Sequence, residues 1–145
     1  MPFLSAPIIF PITSPPAYNS VLAVTDSGII EGIYKLDELQ ETTTEIIHYN
    51  GILCPGFVNT HCHLELSWAK GLMPEGCGLD AFVRQLENHR KSVPETKVRD
   101  AIQLAASEML QSGVVATADI ANGNQTLDFK NTTKQYFHTF VEVFG

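Results

Sequence analysis

The sequence predicts an α/β protein in which a small β-sheet domain leads into a parallel sheet covered by helices, and three observations carry that expectation. The first fifty residues are broken into short strand-like runs by Pro, Gly, Ser and Asp. After His63 the apolar spacing changes from two residues to a helical period, and strand-like runs then alternate with helices as far as Phe144. Parallel neighbours need a crossover connection, and a helix is its usual form, so such alternation implies a parallel sheet.

In the first part, Ile8-Ile9-Phe10 reads as a strand that Pro11 and Ser14-Pro15-Pro16 end. Val21 to Val24, then Asp26-Ser27-Gly28, then Ile29-Ile30 read as a hairpin. Asp37 to Thr44 is rich in Asp, Glu and Thr and reads as a solvated connector, whereas Glu45 to Tyr49 reads as one more strand before Asn50-Gly51 turns the chain. In the second part, Asp80 is expected to cap a helix through Lys91, and Pro94 suits the first turn of the next. That second helix carries an apolar stripe of Val98, Ile102, Ala105 and Met109, widened by Ala101 and Leu104, and Gly113 is its stop. Val114 to Ala118 reads as a short buried strand, Thr126 to Thr132 as a helical turn or two, and Tyr136 to Phe144 as a β-prone run.

The 145 residues suffice for one ordinary domain and core, and the formal charge of −7 argues against a nucleic-acid or anionic-membrane surface. Arg90-Lys91 is the one basic pair. Three cysteines, Cys54, Cys62 and Cys77, make an odd number with no secretory signal pattern before them, so the expectation is a cytoplasmic protein and not a disulfide scaffold. The apolar runs fall far short of the roughly 20 residues that cross a bilayer.

The motif that carries chemistry is Pro55-Gly56-Phe57-Val58-Asn59-Thr60-His61-Cys62-His63. Two imidazoles two residues apart on a strand point to the same side, which suits shared ligation of a metal ion. Strict alternation places Phe57 and Asn59 on the side of His61 and His63, with Val58, Thr60 and Cys62 on the other. In a parallel sheet the carboxyl ends of the strands carry the active site, and His61, His63 and Asp119 fall at such ends.

Gly51 to Glu65, with the His-x-His pair at its centre, resembles the first barrel strand of the amidohydrolase superfamily, in the branch of metal-dependent deaminases and chlorohydrolases that includes adenosylhomocysteine, guanine and aminofutalosine deaminases. Gly113 to Thr117, preceded by the long helix from Pro94 to Ser112, resembles that family's second strand. The resemblance implies an incomplete (β/α)8 TIM-type barrel, with residues 1–53 as the N-terminal part of a small β-domain and 54–145 as the first β/α units of a truncated hydrolase barrel. A complete barrel of this kind takes about 250 residues. It further implies His61 and His63 as metal ligands, a divalent ion, zinc or iron, as cofactor, and metal-assisted hydrolysis of a carbon–nitrogen or carbon–halogen bond. The implied partner is a small molecule such as an amino- or halo-substituted heterocycle or a nucleoside-like compound, in an oligomeric enzyme of which this chain alone is inactive.

Glu65 and Asp119 are the chain's own candidates for touching substrate or supporting the ligands. Against those roles, Asp119 also suits a cap or turn, and Glu65 an exposed loop. Cys62 is expected in the core, Trp68 and Leu72-Met73 over a substrate pocket or on the small sheet, and Glu142 against solvent or a polar partner. His48, His89 and His138 lie away from the motif's end of the sheet. Two readings of other classes compete: a structural zinc module drawing on Cys54, His61, Cys62, His63 and Cys77, and a non-catalytic assembly fragment that recruits a partner through open strand edges.

Overall fold

A computed structural model describes residues 2–39 and 45–143, and the chain divides into two compact units, 1–55 and 56–145. Part of the expected Asp37–Thr44 connector, residues 40–44, lies outside the described residues, as does Phe144. Among the described residues, no helix is long and apolar enough to cross a membrane.

The first unit is built from short strands: β1 (Phe3–Ser5), β2 (Ile8–Ile9), β3 (Ser20–Val24), β4 (Ile30–Lys35), β5 (Ile46–His48) and β6 (Ile52–Leu53). Strands β3 and β4 form the expected hairpin, closed by Gly28 at φ 84° with its amide on the Thr25 carbonyl. Strand β1, which the sequence reading did not single out, lies antiparallel to β3 and parallel to β5, giving the order β4-β3-β1-β5. Phe3, Val21 and Ala23 form the core of this sheet. Strands β2 and β6 make a separate parallel pair, Ile8 opposite Ile52 and Ile9 opposite Leu53.

The second unit has β7 (Phe57–Cys62), β8 (Val114–Ala121) and β9 (Tyr136–Val141) in one parallel sheet of order β7-β8-β9. Its helices are α1 (Leu79–Arg90), α2 (Glu95–Gln111) and α3 (Leu127–Thr132), with a 3-10 helix at Leu64–Ala69. A mixed α/β fold with several sheets is therefore observed. The sequence placed Asp80 as the cap of α1, but Gly78 occupies that position at φ 77° and Asp80 lies in the first turn. The helix thus begins after a residue tolerant of positive φ, and the Asp80 side chain meets the amino-terminal dipole two residues later.

Helix α2 buries Ile102 and Ala106 against Leu64, with Val98, Ala105, Met109, Cys62, Phe129 and Phe137 packed around them. The predicted stripe is therefore right in its axis but not in its width, because Leu104 is 60% exposed. Gly113 ends α2 at φ 85°, and β8 follows at once, running three residues past the predicted Ala118. Along β8, Thr117, Asp119 and Ala121 are buried, and along β9 Phe137 and Thr139 are shielded where Tyr136, His138 and Phe140 are exposed. One face of this sheet is packed and the other is open.

Candidate metal centre

Strand β7 delivers the two histidines, though not as an ideal strand would. Its register against β8 shifts between Asn59 and Cys62, so strict alternation fails there. Asn59 turns toward α2, where its Nδ2 donates to Met109 Sδ at 3.5 Å, while its Oδ1 accepts from the His61 amide at 3.2 Å. The expectation that Asn59 shares the histidine side is corrected: Asn59 and Cys62 are the shielded members of β7, and the irregularity between them resets the alternation. Cys62 joins the Leu64–Ile102–Ala106 cluster, as expected for a core cysteine. Burial, reinforced by the neighbouring Asp119 carboxylate, pushes its thiol up to about 11.

His61 is exposed at the end of β7, and His63 follows the strand with φ −120° and ψ 77°. The two rings lie edge to face with centroids 5.2 Å apart. His63 Nδ1 is buried and has no hydrogen-bond partner among the described residues. A buried ring nitrogen left without a partner next to a second imidazole is a donor set that fits a divalent ion. Among the described residues, no three His, Cys, Asp or Glu side chains group into a metal cluster, so the pair stands as two donors.

The structure brings Asp119 and Glu65 close to the pair in a different sense from lining a cavity. Asp119 is 0% exposed and sits within β8, opposite Cys62 on one side and Thr139 on the other. Its Oδ1 accepts from the Leu64 amide at 2.7 Å and its Oδ2 from Lys130 Nζ at 2.5 Å. Lys130 Nζ also donates to Thr139 Oγ1 at 2.8 Å. Glu65, for which the sequence offers either a supporting role or an exposed loop, is buried, accepting from Arg90 at 2.8 Å and from the amides of Asn122 and Gly123 at 3.2 and 3.1 Å.

Lys130 and Arg90 are the ion-pair partners of Asp119 and Glu65, pairings not identified from the sequence because neither lies near the motif in the chain. Glu142, left without a partner by the sequence, accepts from Asn122 Nδ2 at 3.0 Å through Oε2. Trp68 is buried in the 3-10 helix and, with His63, Leu66, Ala101 and Leu104, borders an open cavity of about 320 Å³ between that helix and α2. His89 Nδ1 pairs with the Gln85 carbonyl at 2.8 Å within α1, and His138 stacks edge-on with Phe140. Cys54, Cys62 and Cys77 are free thiols, and Cys54 belongs to the first unit.

The second unit is thus a parallel sheet packed on one face by helices, with adjoining imidazoles at the carboxyl end of its first strand. The sequence model of the amidohydrolase family matches residues 52–142, and the chain belongs to that family. It is 26% identical over 103 residues to a 5-methylthioadenosine/S-adenosylhomocysteine deaminase of Haloarcula marismortui, covering 70% of this chain and 21% of that protein. The fold superposes on Helicobacter pylori aminofutalosine deaminase, solved with methylthio-coformycin, with a TM-score of 0.84 at 20% identity, covering 100% of this chain and 36% of that one. It also superposes on the zinc-complexed atrazine chlorohydrolase of Arthrobacter aurescens with a TM-score of 0.75 at 16% identity, covering 97% of this chain and 35% of that one. The chain thus spans about a fifth of the length of the curated relative and about a third of the two solved structures.

Proposed function

We propose that this chain supplies His61 and His63 as metal ligands to a hydrolase that cleaves a non-peptide carbon–nitrogen bond, as a deaminase does, or a carbon–halogen bond, as a chlorohydrolase does. The observation that carries the reading is the contact between the two imidazoles, 5.2 Å apart at the carboxyl end of β7. In the same reading, β7, β8 and β9 are the opening strands of a (β/α)8 barrel, residues 54–145 its first β/α units, and residues 1–53 part of a small β-domain. Support comes from the family to which the chain belongs and from the deaminase and chlorohydrolase folds on which it superposes.

When bound, a divalent ion, zinc or iron, supplies Lewis-acid activation of water. His61 and His63 would hold it through their ring nitrogens, and Cys62, whose side chain packs into the Leu64–Ile102–Ala106 core, stays out of the ligand set. The substrate class is a small amino- or halo-substituted heterocycle or nucleoside-like compound, which the names of the similar proteins suggest. A cytoplasmic, oligomeric enzyme is the setting this reading adopts. Catalytic zinc commonly keeps three protein ligands, so two imidazoles leave the ion under-coordinated and turnover by these 145 residues alone is expected to be low.

Isothermal titration with zinc tests the assignment. His61→Ala and His63→Ala each lose binding, while Cys54→Ser and Cys77→Ser leave it nearly intact. Binding that survives both histidine variants, or that depends on the cysteines, refutes it in favour of a structural zinc module.

A further inference from the structure

We infer that Asp119, held by Lys130, is the positioning residue for His63, fixing through the Leu64 amide the bend that brings the two imidazoles together. The inference rests on the reading of His61 and His63 as ligands. Side chains two apart on a regular strand are separated by two rises, roughly 6.6 Å. Here the ring centroids are 5.2 Å apart, and the backbone beneath them is not that of a regular strand: the register of β7 shifts before Cys62 and His63 leaves the strand at ψ 77°. The strand ladder ends at Cys62, so it does not hold that departure.

What holds it is the next amide. Leu64 N donates to Asp119 Oδ1 at 2.7 Å, a short charge-assisted bond between two residues that are both fully buried. The carboxylate is itself immobilised from three elements: it projects from β8, Lys130 reaches its other oxygen from α3, and Thr139 of β9 ties down the same ammonium. Glu65 reinforces the arrangement in the opposite direction, running from the segment after His63 to the two amides just beyond β8. Each strand end is thus gripped by a carboxylate from the other. Orienting groups behind a metal ligand characteristically change affinity roughly 10- to 100-fold when removed.

Two variants of the full chain isolate the contact. Asp119→Asn/Lys130→Met and Asp119→Leu/Lys130→Met both delete the ion pair, but the first keeps an acceptor for the Leu64 amide. The positioning role predicts strong nuclear Overhauser effects between the His61 and His63 rings in the Asn variant and their loss in the Leu variant, with both proteins folded by circular dichroism. Cobalt(II) titrations followed by visible absorption should then show roughly 10- to 100-fold weaker binding for the Leu variant than for the Asn variant. Equal ring contacts and equal cobalt affinity in the two variants overturn the inference. If the unsubstituted protein binds no cobalt, the ligand reading fails, and the ring contacts alone still decide whether Asp119 positions His63. Should the Leu variant not fold, hydrogen exchange at Leu64 in the unsubstituted protein decides instead: protection like that of the β7–β8 ladder supports the role, and exchange at the rate of an open loop overturns it.

Discussion

Lys130 shows how much one side chain far from the motif can matter. It is the counter-charge to a carboxylate with no exposure to water, and its own side chain is 9% exposed. Removing one member of such a pair leaves an uncompensated buried charge, which costs about 3–5 kcal/mol. Lys130→Ala is therefore expected to lower unfolding stability by about that amount in urea titration, and the neutral pair Asp119→Asn/Lys130→Met to recover most of the loss. A loss under ~1 kcal/mol for Lys130→Ala would mean that water reaches Asp119. At this scale the closeness of His61 and His63 was legible from their spacing in the chain, whereas the alternation expected around them was not kept, because β7 is irregular between Asn59 and Cys62. The partners of Asp119, Glu65 and Glu142 were not legible, because each bond joins positions brought together only by the crossover connections.

Among the elements, α2 carries the largest share of the second core. Ile102 is 1% exposed and touches the cluster around Leu64. Ile102→Ala is expected to cost about 2–5 kcal/mol, the range for emptying a buried aliphatic site. Gly113, at φ 85° where α2 gives way to β8, should cost about 1–2 kcal/mol when replaced by Ala. Thermal melts of the two variants check both, and a neutral Gly113→Ala would mean the turn relaxes to negative φ. The axis of α2 was readable from its 3.6-residue period, but the expected stripe included Leu104, which is exposed, and did not name Ala106, which is buried, because hydrophobicity alone does not say which flank meets a neighbour. The 3-10 helix Leu64–Ala69 left no periodic signature at all; its buried Leu64, Glu65 and Trp68 are set by tertiary contacts.

At the level of the whole molecule, the open face of the second sheet is the feature with consequences in solution. Val58, Tyr136 and Phe140 are exposed on β7 and β9, and β9 presents an unpaired edge among the described residues. Apolar faces and open edges of this kind drive association. Sedimentation velocity over a concentration series is expected to show self-association that Tyr136→Glu/Phe140→Lys reduces; a monomer at every concentration would refute it. The parallel order of β7, β8 and β9 was legible from strand–helix alternation. The parallel pairings of β1 with β5 and β2 with β6 were not, since no local pattern announces partners about 40 residues apart.

Those two distant pairings also bear on how the first unit comes into being as it leaves the ribosome. The β3–β4 hairpin closes over a short turn and can form as soon as residue 35 is free, whereas Phe3 and Ile8 must wait for Ile46 and Ile52 to be synthesised. Pulse-labelling hydrogen exchange during refolding should therefore protect the amides of β3 and β4 before those of β5, and simultaneous protection would disprove the order. Until those partners are made, Phe3 and Ile8 lack part of their apolar surroundings, and each offers a holding chaperone a place to bind the unfinished unit.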